Sequence, residues 1–297
     1  MFDVVVVGGG PAGLSAALML GRCRRRVLVC DLGQPRNRRS RALHSYLTRD
    51  GIAPVDLNDL GRAELARYQV EFRCVGVTDA VWCGNEFRIS LGDGRDERSR
   101  FLLLATGVVD DLPPIDGIEE CYGRSVFHCP YCDGWEWRDR RLAVLGIARE
   151  ASGMALALRT WSTSVALCTN GGRVDATTLT RLDRNGVLVR SERLQSLDHQ
   201  DGLLRSLNFD SGDRLPTDAL FFTSGQHPQS DLAIRLGCHL TKQGTVKTGT
   251  LSQTNVPNVF VAGDASRDAQ FVVVAAAEGV KAAIAINQAL QRRELVP

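Results

Sequence analysis

The sequence predicts an α/β fold of two doubly wound domains, the second inserted in the first. Three observations point there. Short apolar runs alternate with stretches of helical spacing from the first residues onward, the pattern of parallel strands joined by crossover helices. The same pattern restarts near Leu142. An Ala-rich helical stretch late in the chain has no neighbouring element to cover it, so it is expected to pack back onto the first sheet.

Asp3 to Val7 is an apolar run ending in glycines, Leu14 to Leu20 reads as a helix, and Arg26 to Cys30 is a second apolar strand ending at Asp31. These form a βαβ unit, whose strands run parallel. Alternating stretches near Val70 to Val77 and Glu86 to Leu91, around Gly84-Asn85, predict an antiparallel insert. A second βαβ unit comprises strand Leu142 to Leu145, helix Glu150 to Thr160 and strand Ser164 to Thr169. Asp110-Asp111-Leu112-Pro113-Pro114 precedes that unit and Ser224-Gly225-Gln226-His227-Pro228 follows it, and both read as hinges. The expected domains are residues 1–112 with 226–297, and 113–225 between them.

The 297 residues, 44% hydrophobic, suffice for two cores. A formal charge of +2 gives no reason to expect nucleic acid or a membrane surface as partner. The basic run Arg36-Asn37-Arg38-Arg39-Ser40-Arg41 reads as a solvated loop. Apolar runs such as Val4 to Val7 and Phe271 to Ala277 are too short to span a bilayer, and Met1-Phe2-Asp3 lacks the basic start of a secretion signal; a cytoplasmic location is the expectation. Of nine cysteines, Cys23, Cys30, Cys74, Cys83, Cys121, Cys168 and Cys238 are scattered singly and read as reduced, small apolar side chains.

Gly8-Gly9-Gly10-Pro11-Ala12-Gly13 follows a strand and opens a helix. That context gives a G-x-G-x-x-G match its meaning: the first glycine permits the turn, the second lets backbone approach a pyrophosphate, and the third lets helix and strand pack closely. Helix N-terminal amides then hold phosphates. Asp31 is placed to accept hydrogen bonds from a ribose. Leu102 to Gly107, LLLATG, and the later VFVAGDASRDAQ resemble the further flavoprotein motifs, in which a Thr-Gly turn and a Gly-Asp pair contact FAD. The order of the three motifs points to FAD. With Val77, the expected cofactor-binding set is Gly8, Gly10, Pro11, Ala12, Gly13, Asp31, Val77, Thr106, Gly107, Gly263, Asp264 and Gln270.

Cys129 and Cys132 stand two residues apart in HCPYCDGWEW. A structural zinc needs four ligands, yet the chain offers no second C-x-x-C and no paired histidines, so no metal is expected. A C-x-x-C at a helix start is instead the pattern of a redox dithiol, because helix-terminal amides lower one thiol's pKa. Pro130 presets the first turn. His128 either adds positive charge near Cys129 or is merely exposed. Tyr131, Trp135 and Trp137 are either core residues or a platform beside flavin or substrate.

The order of glycine loop, ATG turn, C-x-x-C-D-G in an inserted domain and GD motif resembles the low-molecular-weight thioredoxin reductases over essentially the whole chain. That resemblance implies two Rossmann-like FAD/NAD(P)-binding domains, a homodimer, and a thiol-disulfide oxidoreductase whose FAD exchanges two electrons with the cysteine pair. It also implies that Cys132 faces the flavin, Cys129 forms the mixed disulfide with the partner, and Asp133 handles protons as general acid/base.

The family's second nucleotide site departs from that pattern. Gly146-Ile147-Ala148-Arg149-Glu150-Ala151 has alanine where the central glycine belongs, and Glu150 adds negative charge where phosphates would sit. The end of the next strand reads Cys168-Thr169-Asn170-Gly171-Gly172-Arg173, with one arginine and no basic cluster for a 2'-phosphate. The expectation is that NADPH does not drive the protein. HCPYCDG and LCTNGG resemble a divergent branch holding the dithiol oxidases of gliotoxin and holomycin and the cyanobacterial thioredoxin reductase-like flavoproteins. A thioredoxin-like protein or a small-molecule dithiol or disulfide is then the expected partner, with ferredoxin or oxygen as the second redox partner. An NADPH-dependent thioredoxin reductase and a flavin-binding regulatory protein without turnover are the alternatives.

Overall fold

The structure, a computed structural model, describes residues 1–266 and 269–295; within Gly263 to Gln270 positions 267 and 268 lie outside it, as does the side chain of Ala148. The chain folds into two compact units. One comprises Met1–Arg38, Tyr46–Val109 and Gln226–Pro297, the other Arg39–Ser45 and Asp110–Gly225.

The first unit begins with β1 (Phe2–Val7), α1 (Pro11–Arg22) and β2 (Val27–Cys30), then α2 (Pro54–Ala66), β3 (Glu71–Arg73), β4 (Val77–Trp82), β5 (Phe87–Leu91) and β6 (Asp96–Leu104). β1 lies parallel between β2 and β6, with Val4 opposite Val27 and Phe101. Val4, Val5, Val6, Leu28 and Val29 are fully buried, as expected of strands covered on both faces. The alternating stretch Val70 to Val77 proves to be two elements. Glu71–Arg73 extends the parallel sheet beside β2, and the hairpin partner of β5 starts only at Val77. Gly76, between them, is where the chain leaves one sheet edge for the hairpin.

β7 (Val108–Asp110) leads into the second unit. There follow α3 (Ile118–Cys121), β8 (Val126–Phe127), α4 (Pro130–Asp133), β9 (Leu142–Leu145), α5 (Ala148–Leu158), β10 (Val165–Cys168), α6 (Ala176–Arg184), β11 (Val187–Arg190), β12 (Leu194–Gln200), β13 (Leu203–Phe209), β14 (Arg214–Pro216) and β15 (Ala219–Phe222). Its parallel sheet runs β11-β10-β9-β15-β8, and β12-β13-β14 form a separate antiparallel sheet. Arg39 joins this unit by donating from Nη1 to the Glu119 carbonyl at 2.7 Å.

The chain returns through β16 (Gln226–Pro228), α7 (Leu232–Arg235), β17 (Val259–Val261) and α8 (Val272–Glu294). β17 pairs with the C-terminal half of β6, Val259 opposite Leu102, while β5 pairs with its N-terminal half. α8 is the Ala-rich helix. Of the described helices it is the one long and apolar enough to cross a membrane by length and composition. In the fold its apolar stripe, with Ala275, Ala282, Ala283, Ile286 and Leu290, is buried in the core shared with α1. A Cβ on Gly279 would lie 2.0 Å from the Ala12 carbonyl oxygen, so α8 meets α1 backbone to backbone.

Candidate functional site

A first candidate site lies at the C-terminal ends of β1, β6 and β17, the place where open α/β sheets bind ligands. Gly8 sits at φ +107°, and a Cβ there would stand 2.2 Å from the Ala105 carbonyl oxygen; the glycine turn and the ATG turn are thus one close contact. Thr106 and Gly107 follow directly, Gly107 at φ +68°. A Cβ on Gly13 would lie 1.9 Å from the Gly8 carbonyl, so the third glycine lets α1 start hard against its strand. A Cβ on Gly10 would meet nothing within 4 Å. The middle glycine therefore borders open space beside Pro11, the first residue of α1, whose first turn carries no acid.

The other expected residues are placed as follows by the fold. Asp31 closes on the loop: its Cβ is 2.9 Å from where a Gly9 Cβ would stand, and its carboxylate accepts from Gly33 N at 3.1 Å and approaches Arg62 at 3.4 Å. A Cβ on Gly263 would meet the Ala12 Cβ at 2.9 Å, which brings the GD turn to the start of α1. Asp264 follows it, held 3.4 Å from Arg36 Nη1. Gln270, just ahead of α8, accepts from Arg36 through Oε1, while its Nε2 is buried without a hydrogen-bond partner. Val77 starts β4, opposite Leu91 and half-buried against the second core cluster of this unit. The basic run departs from the expected solvated loop at one residue: the Arg36 side chain is 13% exposed, whereas that of Arg39 is 41% exposed.

These residues fit FAD. A glycine cradle that a Cβ would narrow, a helix start without acid, a ribose-side carboxylate and an orphaned buried amide donor are what a dinucleotide with a polar ring requires. Among the described residues no group of three or more His, Cys, Asp or Glu could hold a metal ion.

A second candidate site lies in the other unit. Cys129 is the N-cap of α4, a single turn, with Pro130 at its first position and Cys132 in its body. Gly134 N donates to the Pro130 carbonyl at 2.8 Å and closes the turn. Both cysteines are half-exposed, whereas burial pushes the thiols of Cys30 and Cys168 up to about 12 and those of Cys121 and Cys238 upward. A thiol buried that way is a poor nucleophile; Cys23, Cys74 and Cys83 are not buried but stand singly in the sequence, so the C-x-x-C dithiol belongs to the pair.

Asp133 is the titrating group of this turn. Burial, reinforced by negative charge at Cys129 and at Glu136, pushes its carboxyl up to about 7. Such a group holds a proton near neutrality yet gives it up readily, which suits a general acid/base. His128 Nδ1 stands 3.8 Å from Asp110 Oδ2, and the Tyr122 hydroxyl donates to the same carboxylate oxygen. His44 Nε2 lies 3.4 Å from Glu136 Oε1. Glu136 belongs to the same stretch as the cysteines, whereas Asp110, Tyr122 and His44 carry no local motif, and only contacts made in the fold bring them to the dithiol turn.

The aromatics differ in burial. Trp137 packs on Phe127 with ring centroids 6.2 Å apart and belongs to the core. Tyr131 and Trp135 are 66% and 63% exposed, Tyr131 edge-on to Trp161 at 5.6 Å and Trp135 covered by the Arg138 guanidinium at 4.3 Å.

At the place of a second nucleotide, β9 leads through Gly146 into α5. A Cβ on Gly146 would stand 2.1 Å from Thr223 Oγ1, so this glycine serves the strand contact. Ile147, the N-cap of α5, lies over the loop after β10, where a Cβ on Gly172 would come 2.1 Å from Ile147 Cγ2. That loop closes on itself: Thr169 Oγ1 donates to the Gly172 carbonyl at 2.7 Å, and Gly171 N to the Ser191 carbonyl at 2.8 Å. Arg173 is exposed, and Arg190, at the end of the next strand, binds Glu192 at 2.6 Å and Asp213 at 2.9 Å.

The sequence matches the pyridine nucleotide-disulphide oxidoreductase family over residues 2–279. Thioredoxin reductase aclD of Aspergillus oryzae is 29% identical, covering 96% of this chain and 95% of its own. Thioredoxin reductase tcpT of Claviceps purpurea is 30% identical over 88% of this chain and 86% of its own. Of solved structures, HlmI has a TM-score of 0.95 at 35% identity, covering 99% of this chain and 93% of that one. An oxidoreductase from Agrobacterium tumefaciens has a TM-score of 0.92 at 33% identity, covering 98% and 99%.

Proposed function

The chain belongs to the pyridine nucleotide-disulphide oxidoreductases, as a thioredoxin reductase-like, FAD-binding disulfide oxidoreductase, and from that premise we propose that it exchanges electrons between FAD and a thiol partner without NADPH as donor. The partner class is a small-molecule dithiol or disulfide or a thioredoxin-like protein. The observation that carries the reading is the packing of Ile147 over Gly172, which places a branched side chain and a self-closed loop where the second nucleotide would be gripped. Similarity to thioredoxin reductase aclD supports thiol-disulfide chemistry at the cysteine pair, and the resemblance of HCPYCDG and LCTNGG to the dithiol oxidase branch favours a small dithiol as the partner.

FAD would be held by Gly8 to Gly13, Asp31, Thr106, Asp264 and Gln270, and when bound would supply the two-electron acceptor or donor. The dithiol chemistry belongs to the chain's own residues. With a dithiol substrate, a substrate thiolate attacks Sγ of an oxidised Cys129–Cys132 pair; the bond between the two cysteines breaks, a mixed disulfide to Cys129 forms, and Cys132 leaves as thiolate. The second substrate thiolate attacks its own mixed-disulfide sulfur, releasing the cyclised disulfide and Cys129 thiolate. Both electrons now rest on the cysteine pair, and Asp133, with its carboxyl near neutrality, takes and returns the protons. With a disulfide substrate the same steps run in reverse.

The test is anaerobic addition of a small dithiol to the yellow protein, followed by oxygen. The reading expects bleaching by the dithiol, oxygen uptake on turnover, and loss of both in Cys129→Ser and Cys132→Ser. Bleaching that survives Cys132→Ser, or a wild-type protein indifferent to dithiols, would contradict it.

A further inference from the structure

We propose that Arg62, on α2, positions and binds the adenosine end of FAD: it holds Asp31 by one carboxylate oxygen, leaving the other for the ribose, and offers its Nε–H to the same nucleotide. The inference rests on the FAD reading and adds a residue that none of the three flavin motifs contains.

Asp31 directly follows β2, and the side-chain contacts described for its carboxylate fall on one oxygen. Oδ2 accepts from Gly33 N at 3.1 Å and lies 3.4 Å from Arg62 Nη2. A Cβ on Gly9 would come 3.0 Å from that same oxygen, so the glycine loop closes against it. Oδ1 is the oxygen left to accept from a ribose hydroxyl. A carboxylate fixed in this way has little rotamer freedom to lose when the ligand arrives. The guanidinium also keeps a charged partner at Asp31 while the ligand displaces water.

Arg62 is itself held at three points. Nη1 lies 3.5 Å from Asp59 Oδ1, three residues earlier on α2, and Nη2 faces Asp31. The guanidinium carbon stands 4.8 Å from the centre of the Phe72 ring on β3. Nε, by contrast, is buried without a hydrogen-bond partner among the described residues. Nε and Nη2 share one edge of the planar guanidinium fork, so the unpartnered N–H lies on the edge that meets Asp31. A buried donor left unpaired is costly, and a ligand acceptor bound beside Asp31 removes that cost. An arginine that only fastened α2 to the sheet would leave this orphan without a purpose. The fixed guanidinium, the single engaged oxygen of Asp31 and the orphan donor therefore point to one occupant, the ribose and base of the nucleotide that Asp31 receives.

The experiment measures FAD release on dilution of the FAD-loaded protein, by flavin fluorescence, for wild type, Arg62→Gln, Arg62→Lys, Asp31→Asn and the double variant Asp31→Asn with Arg62→Gln. Arg62→Gln should raise the Kd for FAD about tenfold or more, the worth of a charge-assisted hydrogen bond. Arg62→Lys keeps the charge and loses the fork edge, so its Kd should fall between those of wild type and Arg62→Gln. Arg62 acts in part through Asp31, so the double variant should bind FAD about threefold or more better than the product of the single effects. Single effects that simply multiply overturn the coupling to Asp31. An Arg62→Gln protein with the wild-type Kd overturns the proposal, even if its melting temperature is lowered, because that pattern belongs to a structural arginine. If Arg62→Gln does not accumulate as folded protein, Arg62→Lys decides: a Kd about threefold or more above wild type supports the proposal, and a wild-type Kd overturns it. A wild-type protein that binds no FAD overturns this inference together with the functional reading, whereas an FAD-loaded wild type with indifferent variants overturns this inference alone.

Discussion

Ile147 lies against Gly172: a Cβ on that glycine would stand 2.1 Å from Ile147 Cγ2. The contact joins the loop after β9 to the loop after β10, the two places between which a doubly wound unit grips a dinucleotide. Glu150 in the first turn of α5 adds negative charge at the same end. Ile147 is itself 60% exposed, so it is held there by the loop geometry and not by burial in a core. The unit keeps the fold of a nucleotide-binding domain, and between these two loops stand a hydrocarbon contact and a self-bonded turn, on which the proposal of an NADPH-independent protein rests.

Asp133 sets a pH window for both catalysis and stability. Its carboxyl titrates at about 7 in the fold against an ordinary 3.8, so the folded state binds a proton that the unfolded chain has lost over that interval. The stabilisation from this group is complete below about pH 4 and is lost as pH rises through about 7. Asp133→Asn, which cannot ionise, should match wild type at pH 4 and exceed it by roughly 1–4 kcal/mol at pH 8, measured by denaturant unfolding. Its turnover should fall by roughly 10²–10⁴ and lose the ionisation near neutrality. A variant less stable than wild type at pH 8, or one with an unchanged pH profile, would show that the carboxylate is neither strained nor used.

Gly134 is required by the dithiol turn. An added Cβ would stand 2.5 Å from the Pro130 carbonyl and 2.8 Å from the Trp161 ring. Gly134→Ala should therefore cost about 1–3 kcal/mol and displace the Cys129–Cys132 turn, reducing the rate of dithiol oxidation while FAD binding is retained. Equal rates and melting temperature would remove Trp161 as the wall of the turn.

Gly279→Ala tests the coupling of α8 to the glycine loop. The new methyl would meet the Ala12 carbonyl at 2.0 Å, forcing α8 away from α1. Loss of about 1–3 kcal/mol in unfolding free energy, together with weaker FAD retention, is expected, because Ala12 belongs to the first turn after the glycine cradle. FAD retention equal to wild type would separate the helix contact from the cofactor site.

Much of the fold could be read from local pattern because the strands are covered on both faces. Val4 to Val7, Leu142 to Leu145 and the glycines after them look like what they are, since an apolar run ending in a tight turn has few other uses. Val70 to Val77 misled because alternation there spans two short strands that belong to different partners, a distinction made by β2 and β5 and not by the segment itself. The cysteine pair and Asp133 were legible as a motif. Arg36, Asp110, Tyr122 and His44 were not, because each acquires its role from a partner between 12 and 234 positions away. In the run from Arg36 to Arg41 composition alone says solvent, and only the fold distinguishes the arginine that turns inward.

The most direct measurement is an anaerobic titration of the FAD-loaded protein with NADPH, followed by flavin absorbance, with a small dithiol as the positive control. The account predicts that stoichiometric dithiol bleaches the flavin and that NADPH leaves it oxidised on the timescale of turnover. Rapid, stoichiometric bleaching by NADPH would contradict it, because Ile147 and the closed Thr169–Gly172 loop would then have to admit the nucleotide that their geometry is here held to exclude.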